Sequence, residues 1–409
     1  MPLRRMTGST RSRGHVSNPA IRLLTALVAM IATAVAACGT GTTTTTPEPM
    51  LSFGGELQSA LDGVLSADDT MGFSLAVLVP GYQPWIGVAG ESELGVPVTT
   101  GMAFGAGSVS KNFIAALVLQ LAEEGKLSLD DQLDRWLPEY PNLDGSATIR
   151  QLLNHTSGTF SLEDHPDFYW SVSANRDRVW TDEELLSTFL AEPLSAKGTE
   201  WHYSNTGYLL LGQIVEEAAG ASVSAELRDR FFDPLGLATA FYLSEETAPG
   251  EVAEGWFDIG RAAPQMDIDP DLERFSDFPW TATMPEAGGL FASAEDLATW
   301  ARALFHDRSV LGSEALGQML DWTPLEIPQD RAQILADYGL GAVRYQPELF
   351  DGALVVGASG GALFYSAAAL YLPDHGVAIG VTQNSDSDAI GLLLAQVVSV
   401  ITSHVEPAP

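Results

Sequence analysis

The two ends of this 409-residue sequence are rich in strand-forming residues, whereas its middle has the apolar spacing of helices. Two β-rich runs lie near the start and four near the end, at 73–79, 85–88, 338–345, 352–357, 362–372 and 376–382. Strands joined by short connections pair antiparallel, and consecutive strands tend to be neighbours. The simplest arrangement is therefore one antiparallel sheet that contains strands from both ends of the chain.

Apolar residues at helical spacing predict helices around and between these strands. The predicted helices cover 51–65, a segment from about Ser108 to Gly125, 181–190, 208–219, 294–305 and 388–403. The predicted fold class is α/β, of the α+β kind, in which helices from both ends of the chain flank the sheet. Residues from about 130 to 335 are predicted to form an inserted, mostly helical subdomain, with loops at 160–178 and 247–287.

The charge and the cysteine content exclude several kinds of function. The sequence has 53 acidic and 20 basic side chains, a formal net charge of -33, and one cysteine. A nucleic-acid-binding protein needs a basic surface, so we expect no nucleic-acid partner. One cysteine cannot build a disulfide framework or a cysteine-based zinc site, and we expect no metal and no cofactor. The oligomeric state is not indicated by the sequence.

Residues 1–37 have the pattern of a secretory signal peptide. Five arginines and no acidic residue accompany an apolar run from Leu23 to Ala37 that ends in small residues. This run is shorter than the ~20 residues that a membrane-spanning helix needs. An uncleaved N-terminal anchor is the alternative interpretation.

Cys38 follows this run directly, and the stretch from Val35 to Cys38 resembles the lipobox of bacterial lipoproteins. The resemblance implies cleavage before Cys38 and lipid attachment to its sulfur, a nucleophile suited to that chemistry. Residues 38–50 are rich in Thr and Pro and are predicted to form a flexible tether. We therefore expect an exported protein that its lipid anchors to the cell membrane, facing the periplasm or the cell exterior. A small buried cysteine is the alternative.

Only three lysines occur in the sequence, and Lys111 lies three residues after Ser108. Side chains at i and i+3 share one face of a helix, and Ser108 follows a Gly-Ala-Gly turn where a helix is predicted to begin. A neutral amine there could take the serine proton during attack on a carbonyl, and the free backbone N–H groups could bind the oxyanion. Alternatively, Ser108 is only a helix cap and Lys111 a solvated side chain.

Tyr203, Ser204 and Asn205 lie just before the helix predicted at 208–219. A tyrosine beside a cation can pass protons, and an asparagine amide can bind both a lysine and a substrate carbonyl. The alternative for Tyr203 is a half-buried aromatic side chain where a helix begins. The same Tyr-x-Asn spacing at 140–142 contains a proline and is interpreted as a loop.

These stretches resemble the motifs of one superfamily of serine enzymes. The run from Phe104 to Lys111 is similar to the nucleophile motif of serine β-lactamases and penicillin-binding proteins, especially of the class C β-lactamase-like branch. That branch also includes D-alanyl-D-alanine carboxypeptidases and carboxylesterases. Further stretches resemble the same branch in the same order, at 152–158, 201–208 and 287–290.

The resemblance implies a role for each matching residue and a β-lactamase/transpeptidase-like fold over residues 51–405. Ser108 would be the acylated nucleophile and Lys111 its base or proton partner. Tyr203 would help to deprotonate Ser108 and would protonate the leaving group. Asn205 would orient the lysine and the substrate.

The third motif of the branch is altered in this sequence. A Lys or His followed by Ser or Thr and then Gly is expected, but Ala358 stands at the basic position. The resemblance still implies substrate binding by Ser359, Gly360 and Gly361, because a backbone N–H can complete an oxyanion hole without a side chain. A cation that would face a substrate carboxylate is missing, unless another, such as Arg344, reaches the gap.

The expected function is that of a serine hydrolase acting through an acyl-enzyme on Ser108, with esterase or amidase action on small acyl substrates favoured. A β-lactam-like substrate, as for a β-lactamase or D-alanyl-D-alanine carboxypeptidase, is one alternative, and a catalytically weak binding or scaffold protein is another. His155 and His202 lie in motifs where histidine is not the catalytic base, so we expect supporting roles. The acid-rich segment 163–167 is interpreted as a solvated loop rather than a metal site.

Overall fold

The computed structural model describes residues 48–67, 71–174, 178, 180–243, 245–256, 283–362, 364–385 and 389–408. The predicted signal peptide, Cys38, most of the tether and most of the 247–287 loop lie outside these residues. Within the described ranges, no helix is both long enough and apolar enough to cross a membrane.

Helices lie at both ends of the described chain and fill its middle. The α-helices are α1 (Gly54–Ala67), α2 (Ser110–Glu123), α3 (Ile149–Leu153), α4 (Phe168–Ala174), α5 (Asp182–Phe189), α6 (Asn205–Ala219), α7 (Val223–Leu227), α8 (Asp233–Leu235), α9 (Pro285–Gly288), α10 (Ala294–Ala301), α11 (Ser313–Met319), α12 (Gln329–Ala332) and α13 (Ala389–His404). Short 3₁₀ turns lie at Gly107–Val109, Leu133–Arg135, Leu162–Asp164 and Pro347–Phe350, and π turns at Arg228–Phe232 and Arg302–His306.

The strands form one large sheet and one small one. They are β1 (Gly72–Leu78), β2 (Trp85–Glu93), β3 (Val96–Pro97), β4 (Phe104–Gly105), β5 (Phe241–Tyr242), β6 (Leu290–Ala292), β7 (Leu335–Tyr338), β8 (Val343–Tyr345), β9 (Val356–Ala362), β10 (Tyr365–Leu372) and β11 (Val377–Gln383). The large sheet has eight strands in the order β3-β2-β1-β11-β10-β9-β8-β7, and the small one has the order β4-β6-β5.

The prediction of one antiparallel sheet built from both ends of the chain is confirmed. Strand β1 lies between β2 and β11 and is antiparallel to both. Phe73 lies opposite Gln383, and Leu78 lies opposite Ala378. The last strands of the chain therefore complete the sheet that its first strands begin.

Alternating side chains give the large sheet two buried faces. Leu75 and Val77 of β1 belong to a core with the terminal helices α1 and α13, whereas Ala76 and Leu78 belong to the core that contains α2 and α6. Successive residues of a strand point to opposite faces, so one apolar strand serves both cores. Helix α10 lies so close to the second face that a Cβ on Gly380 would be 1.9 Å from the carbonyl oxygen of Ala294.

Several predicted boundaries differ from the structure. The run 338–345 is not one strand but the end of β7, a turn and β8, because Gly341 adopts a φ of +72° between them. Strand β9 covers 356–362 rather than 352–357. The small sheet of β4, β5 and β6 was not predicted, because strands of two or three residues carry too little pattern to detect.

Helix α6 begins three residues earlier than predicted. The Ser204 hydroxyl accepts a hydrogen bond from the backbone nitrogen of Gly207 at 3.2 Å and so caps the helix. At the other end, Gly220 follows the last residue of α6 and has a φ of +73°, the left-handed conformation in which glycine often ends a helix. This cap fixes where Tyr203 and Asn205 stand relative to the helix.

Candidate active site

Ser108 lies in the 3₁₀ turn between β4 and α2, and strand β9 packs directly against this turn. A Cβ built on Gly360 would lie 2.2 Å from the backbone nitrogen of Ser108, and one on Gly107 would lie 3.1 Å from the backbone of Gly361. Gly107 also has a φ of +51°, which favours glycine. These glycines allow the two segments to meet backbone against backbone.

Lys111 lies beneath Ser108 in the first turn of α2. Its Nζ is 3.0 Å from the Ser108 Oγ and donates a hydrogen bond of 2.7 Å to the backbone carbonyl of Ala287 in α9. The residue is 1% exposed, and its Nζ lies 5.0 Å and 5.6 Å from the ring centroids of Tyr203 and Tyr208. Burial, one carbonyl and two aromatic rings therefore hold the amine against the serine hydroxyl.

The alternative of a helix cap with a solvated lysine is wrong. Helix α2 begins at Ser110 rather than at Ser108, its N-cap position is Val109, and no side chain caps it. Lys111 is buried rather than solvated. The carbonyl of Ala287, which had no role in the sequence analysis, is the group that orients it.

Tyr203 completes a group of three side chains. Its hydroxyl donates a hydrogen bond of 2.9 Å to the Ser108 Oγ, so the serine oxygen is contacted by both Tyr203 and Lys111. The predicted trio of Ser108, Lys111 and Tyr203 is thus brought together, although these residues come from two distant parts of the sequence.

His155 supports the backbone beside Tyr203 and does not contact Ser108. Its Nδ1 accepts a hydrogen bond of 3.1 Å from the backbone nitrogen of Ser204, so Nε2 carries the proton and donates to the Tyr338 hydroxyl at 3.0 Å. Burial, followed by the charges of Lys111 and of an arginine, lowers the pKa of His155 well below its usual value. A neutral, doubly hydrogen-bonded ring is a structural support, as expected, and not the base of a triad.

Asn205 lies against Glu163 rather than against Lys111. The Asn205 Nδ2 donates to the Glu163 Oε1, and the backbone nitrogen of Asn205 donates to the Ser161 Oγ at 2.9 Å. The backbone nitrogen of Leu162 donates to the Thr206 Oγ1 at 2.9 Å. The loop at 161–163 is therefore docked on the start of α6, and the interpretation of the acid-rich segment as solvated is wrong at Glu163.

Two acceptor atoms beside this contact have no hydrogen-bond donor among the described residues. They are the Oε2 of Glu163 and the Oδ1 of Asn205, both shielded from solvent. Burial raises the pKa of Glu163. Hydrogen bonds from its own backbone and from the Ser161 side chain, followed by the charge of Lys111, oppose that rise. The Glu163 carboxyl group thus lies near Ser108, Lys111 and Tyr203. The acid-rich sequence alone does not indicate this position.

The altered third motif lies on β9, beside the Ser108 turn. Ala358 is 4% exposed and packs in the core with the central helices. Ser359 is exposed near the Tyr345 hydroxyl, and no atom lies within 4 Å of a Cβ built on Gly361. The strand thus presents backbone and one hydroxyl at the site, and the buried position 358 holds no cation.

The arginine beside Tyr203 is Arg331, not Arg344. Arg344 forms an ion pair with Asp337 and lies over the ring of Trp322. The guanidinium carbon of Arg331, in α12, lies 4.9 Å from the centroid of the Tyr203 ring. Since Arg331 belongs to none of the recognisable motifs, no sequence signal indicated that it would reach the site.

Other candidates from the sequence form their hydrogen bonds with residues other than Ser108. His202 contacts Glu200, and the Tyr140 hydroxyl donates to Gln213, so both act in loop packing. Within the described parts of the chain, no group of three or more His, Cys, Asp or Glu side chains is arranged to hold a metal ion.

The site consists of one hydroxyl, that of Ser108, and two side chains that can exchange a proton with it. The Ser108 Oγ has an amine at 3.0 Å and a phenol at 2.9 Å, both within reach of a proton transfer. The backbone nitrogen of Ser108 lies at the start of a helical segment, where developing negative charge is stabilised. Such an arrangement suits attack on a carbonyl carbon and transfer of the acyl group to serine.

Known proteins share both the sequence pattern and the fold. Residues 57–397 match the Beta-lactamase family. A penicillin-binding protein of Bacillus subtilis (strain 168) is 28% identical over 302 residues, which are 71% of this chain and 63% of that protein. Esterase EstB of Burkholderia gladioli is 36% identical over 167 residues, which are 38% of this chain and 42% of the esterase.

A solved structure extends the likeness to three dimensions. A D-amino acid amidase from Ochrobactrum anthropi SV3 has a TM-score of 0.73 at 26% identity, covering 85% of this chain and 98% of the amidase chain. The chain spans less than two thirds of the length of either curated relative, the penicillin-binding protein or the esterase. The mixed fold, with a large antiparallel sheet flanked by helices, is common to this chain and the amidase.

Proposed function

The chain belongs to the Beta-lactamase family, and from this we propose that it is a serine hydrolase that forms an acyl-enzyme on Ser108. The hydrogen bonds from Tyr203 and Lys111 to the Ser108 Oγ support this role. A pure binding or scaffold protein would not need both partners on one hydroxyl.

The proposed reaction has two halves. The Ser108 Oγ forms a bond to the substrate carbonyl carbon while its proton passes to the Tyr203–Lys111 pair. The bond from that carbon to the leaving nitrogen or oxygen then breaks, and Tyr203 returns the proton to the leaving group. Water next attacks the acyl-enzyme by the reverse route, and the backbone N–H groups of Ser108 and Gly361 bind the oxyanion in both halves.

The substrate that we propose is a small amide or ester whose acyl part carries a free ammonium group. The observation that carries this choice is the pair of acceptors beside the nucleophile, the Glu163 Oε2 and the Asn205 Oδ1, which have no donor among the described residues. Both atoms are shielded from solvent, so the 161–163 loop must shift to admit the ligand. A positively charged donor would then satisfy both acceptors and offset the burial of the carboxylate. The relatives named as an esterase and a D-amino acid amidase support the same class of substrate.

Hydrolysis of phenylalanine amide, compared with its N-acetyl derivative, tests this substrate class. We expect kcat/KM to be at least about 10-fold higher for the free amine, and the D form to be preferred over the L form. Equal rates for the free and acetylated amides would show that no ammonium is recognised. If a fluorophosphonate left Ser108 unlabelled and Ser108→Ala did not change turnover, the hydrolase itself would be excluded.

A β-lactamase or D-alanyl-D-alanine carboxypeptidase is the second candidate, supported by the relative named as a penicillin-binding protein. Ala358 removes from β9 the basic residue that usually faces the carboxylate of penicillins and of peptides ending in D-alanine. The acyl part of a penicillin such as benzylpenicillin also carries no free ammonium group for the Glu163 and Asn205 acceptors, and this argues against the candidate. A fluorescent penicillin separates the two: we expect it to label Ser108 much more slowly than a fluorophosphonate does. Rapid, stoichiometric labelling by the penicillin would favour the second candidate.

We also propose that the protein is exported and held at the cell membrane by lipid on Cys38, facing the periplasm or the cell exterior. The signal-like residues 1–37 and the small residues before Cys38 support this. Mass spectrometry of the N-terminal peptide from membranes should find an acylated Cys38. An unmodified Cys38 within an intact leader would overturn the proposal.

A further inference from the structure

Arg331 is an unusual cation in this protein because no described carboxylate pairs with it. The sequence has 53 acidic side chains to 20 basic ones, and most described arginines form an ion pair. Among the described residues, only the arginines Arg308 and Arg331 have no carboxylate oxygen within 4.0 Å, and Arg308 lies away from the site, beside Tyr371. In so acidic a chain, an arginine without such a partner beside a nucleophile needs an explanation.

The position of Arg331 places its charge at the candidate active site. Its guanidinium carbon lies 4.9 Å from the centroid of the Tyr203 ring, and the residue is exposed. Burial raises the pKa of Asp164, and the charge of Arg331 opposes that rise; after burial and Lys111, the same charge also helps to lower the pKa of His155. The guanidinium donates no hydrogen bond to any residue in the described ranges, so its planar set of N–H donors is available to a ligand.

The side of the site that Arg331 occupies follows from the proposed reaction. Tyr203 gives its proton to the leaving group. Two cations lie over its ring, the buried Lys111 on the nucleophile side and the exposed Arg331, and we therefore assign Arg331 to the leaving-group side. Glu163 and Asn205 contact each other. In the proposed reaction they bind the ammonium group of the acyl part of the substrate. In this scheme the site has an acidic group for the acyl part and a separate basic group for the leaving part.

We propose that Arg331 binds a carboxylate on the leaving group, and that the preferred substrates are short peptides with a free ammonium and a free carboxylate. Arg331 then supplies, from α12, the positive charge that β9 lacks at Ala358. This inference rests on the proposed function, because it assumes that Ser108 is acylated and that Tyr203 faces the leaving group. In the reaction, the peptide C–N bond breaks, Tyr203 protonates the departing amine, and the amino acid leaves with its carboxylate on Arg331.

The test compares phenylalanyl-alanine with its C-terminal amide, each in the D,D and L,L forms. For Arg331→Gln we expect kcat/KM to fall by about 10-fold for the dipeptide and by less than about 2-fold for the dipeptide amide and for phenylalanine amide. Arg331→Lys should retain part of the preference, because it keeps the charge but loses the planar pair of donors. Arg344→Gln is the matched control, since that arginine is half-exposed and already paired with Asp337.

Each other outcome would contradict a defined part of the proposal. An equal loss on the dipeptide and its amide would mean that Arg331 acts only through the Tyr203 ring, and it would overturn the carboxylate site. That site would also be excluded if wild-type protein prefers the amide or if Arg331→Gln changes nothing. If wild-type protein hydrolyses none of the amides and does not react with a fluorophosphonate, the proposed function fails first.

Discussion

The nucleophile side of the site and its recognition side are built in different ways. On the nucleophile side, Ser108 and Lys111 stand three residues apart on one helical segment, and the Tyr203 hydroxyl reaches them from the cap of α6. On the recognition side, Glu163 comes from a docked loop, Arg331 from a short helix, and the glycines from β9. Local spacing sets the contact between Ser108 and Lys111, whereas the recognition side depends entirely on which distant segments the fold brings together.

This difference predicts two classes of mutational effect. Changes on the nucleophile side should reduce activity on every substrate, because they remove chemistry. Changes on the recognition side should reduce activity on some substrates and spare others, because they remove a contact with one chemical group. Four variants test the distinction, in order of decreasing expected effect.

Ser108→Ala removes the proposed nucleophile. We expect kcat/KM to fall on the order of 10³-fold or more for every ester and amide, with no labelling by a fluorophosphonate. The thermal stability should hardly change. Ser187→Ala is the control: it removes an exposed hydroxyl from α5 that bonds only to the backbone of the same helix, and it should keep both the label and the activity.

Lys111→Met removes the amine that lies 3.0 Å from the Ser108 Oγ. We expect a loss of about 10² to 10⁴-fold in kcat for all substrates, because proton transfer from the serine loses its partner. The buried carbonyl of Ala287 would also lose its donor, which costs about 1–3 kcal/mol of unfolding free energy. Lys126→Met, at an exposed ion pair with Glu124, should change neither quantity measurably.

Gly360→Ala tests the boundary between the two sides. An added Cβ would lie 2.2 Å from the backbone nitrogen of Ser108, so either the turn or β9 must move. We expect a loss of about 1–3 kcal/mol in the free energy of unfolding and a loss of about 10² in kcat, since the nucleophile is displaced. The neighbouring Gly361→Ala meets no atom within 4 Å and should leave stability unchanged. Similar effects for both variants would contradict the close packing of β9 on the turn.

Glu163→Gln should give the smallest and most selective effect. We expect about a 10-fold loss in kcat/KM near pH 7 for phenylalanine amide and none for its N-acetyl derivative. Burial raises the pKa of Glu163, so the wild-type preference for the free amine should decline as the pH falls through that raised pKa and the carboxylate becomes protonated. The Gln variant should show no such decline, and a decline that persists in it would assign the titration to another group.

On the nucleophile side, the contact between Ser108 and Lys111 could be predicted from local spacing, whereas the role expected for Tyr203 came from the resemblance to known serine enzymes. The i, i+3 spacing of Ser108 and Lys111 fixes their contact once a helix forms there, and Ser204 specifies the cap that positions Tyr203. The shared sheet was also predictable, since both ends of the chain carry β-forming runs. Helix ends were placed within a few residues, as Gly220 illustrates.

The recognition side was not predictable for an equally physical reason. An acid-rich sequence is compatible with both a solvated loop and a loop packed against the protein. In the structure, the hydrogen bonds of Asn205 to Ser161 and Glu163 hold this loop against α6. Arg344 and Arg331 look alike in the sequence, and only the ion pair with Asp337 removes one of them from consideration. Long-range contacts of this kind are set by tertiary packing rather than by spacing.

The position of β1 beside β11 makes the active site a product of the whole chain. Phe73 pairs with Gln383 in β11, the last described strand, so during synthesis the second edge of β1 stays uncovered until that strand has been made. Strand β9, which braces the Ser108 turn, is held by β10, and β10 is held by β11. A ribosome that stalls before β11, or a protease that clips the C-terminal segment, would release a chain that contains every catalytic residue and no working site.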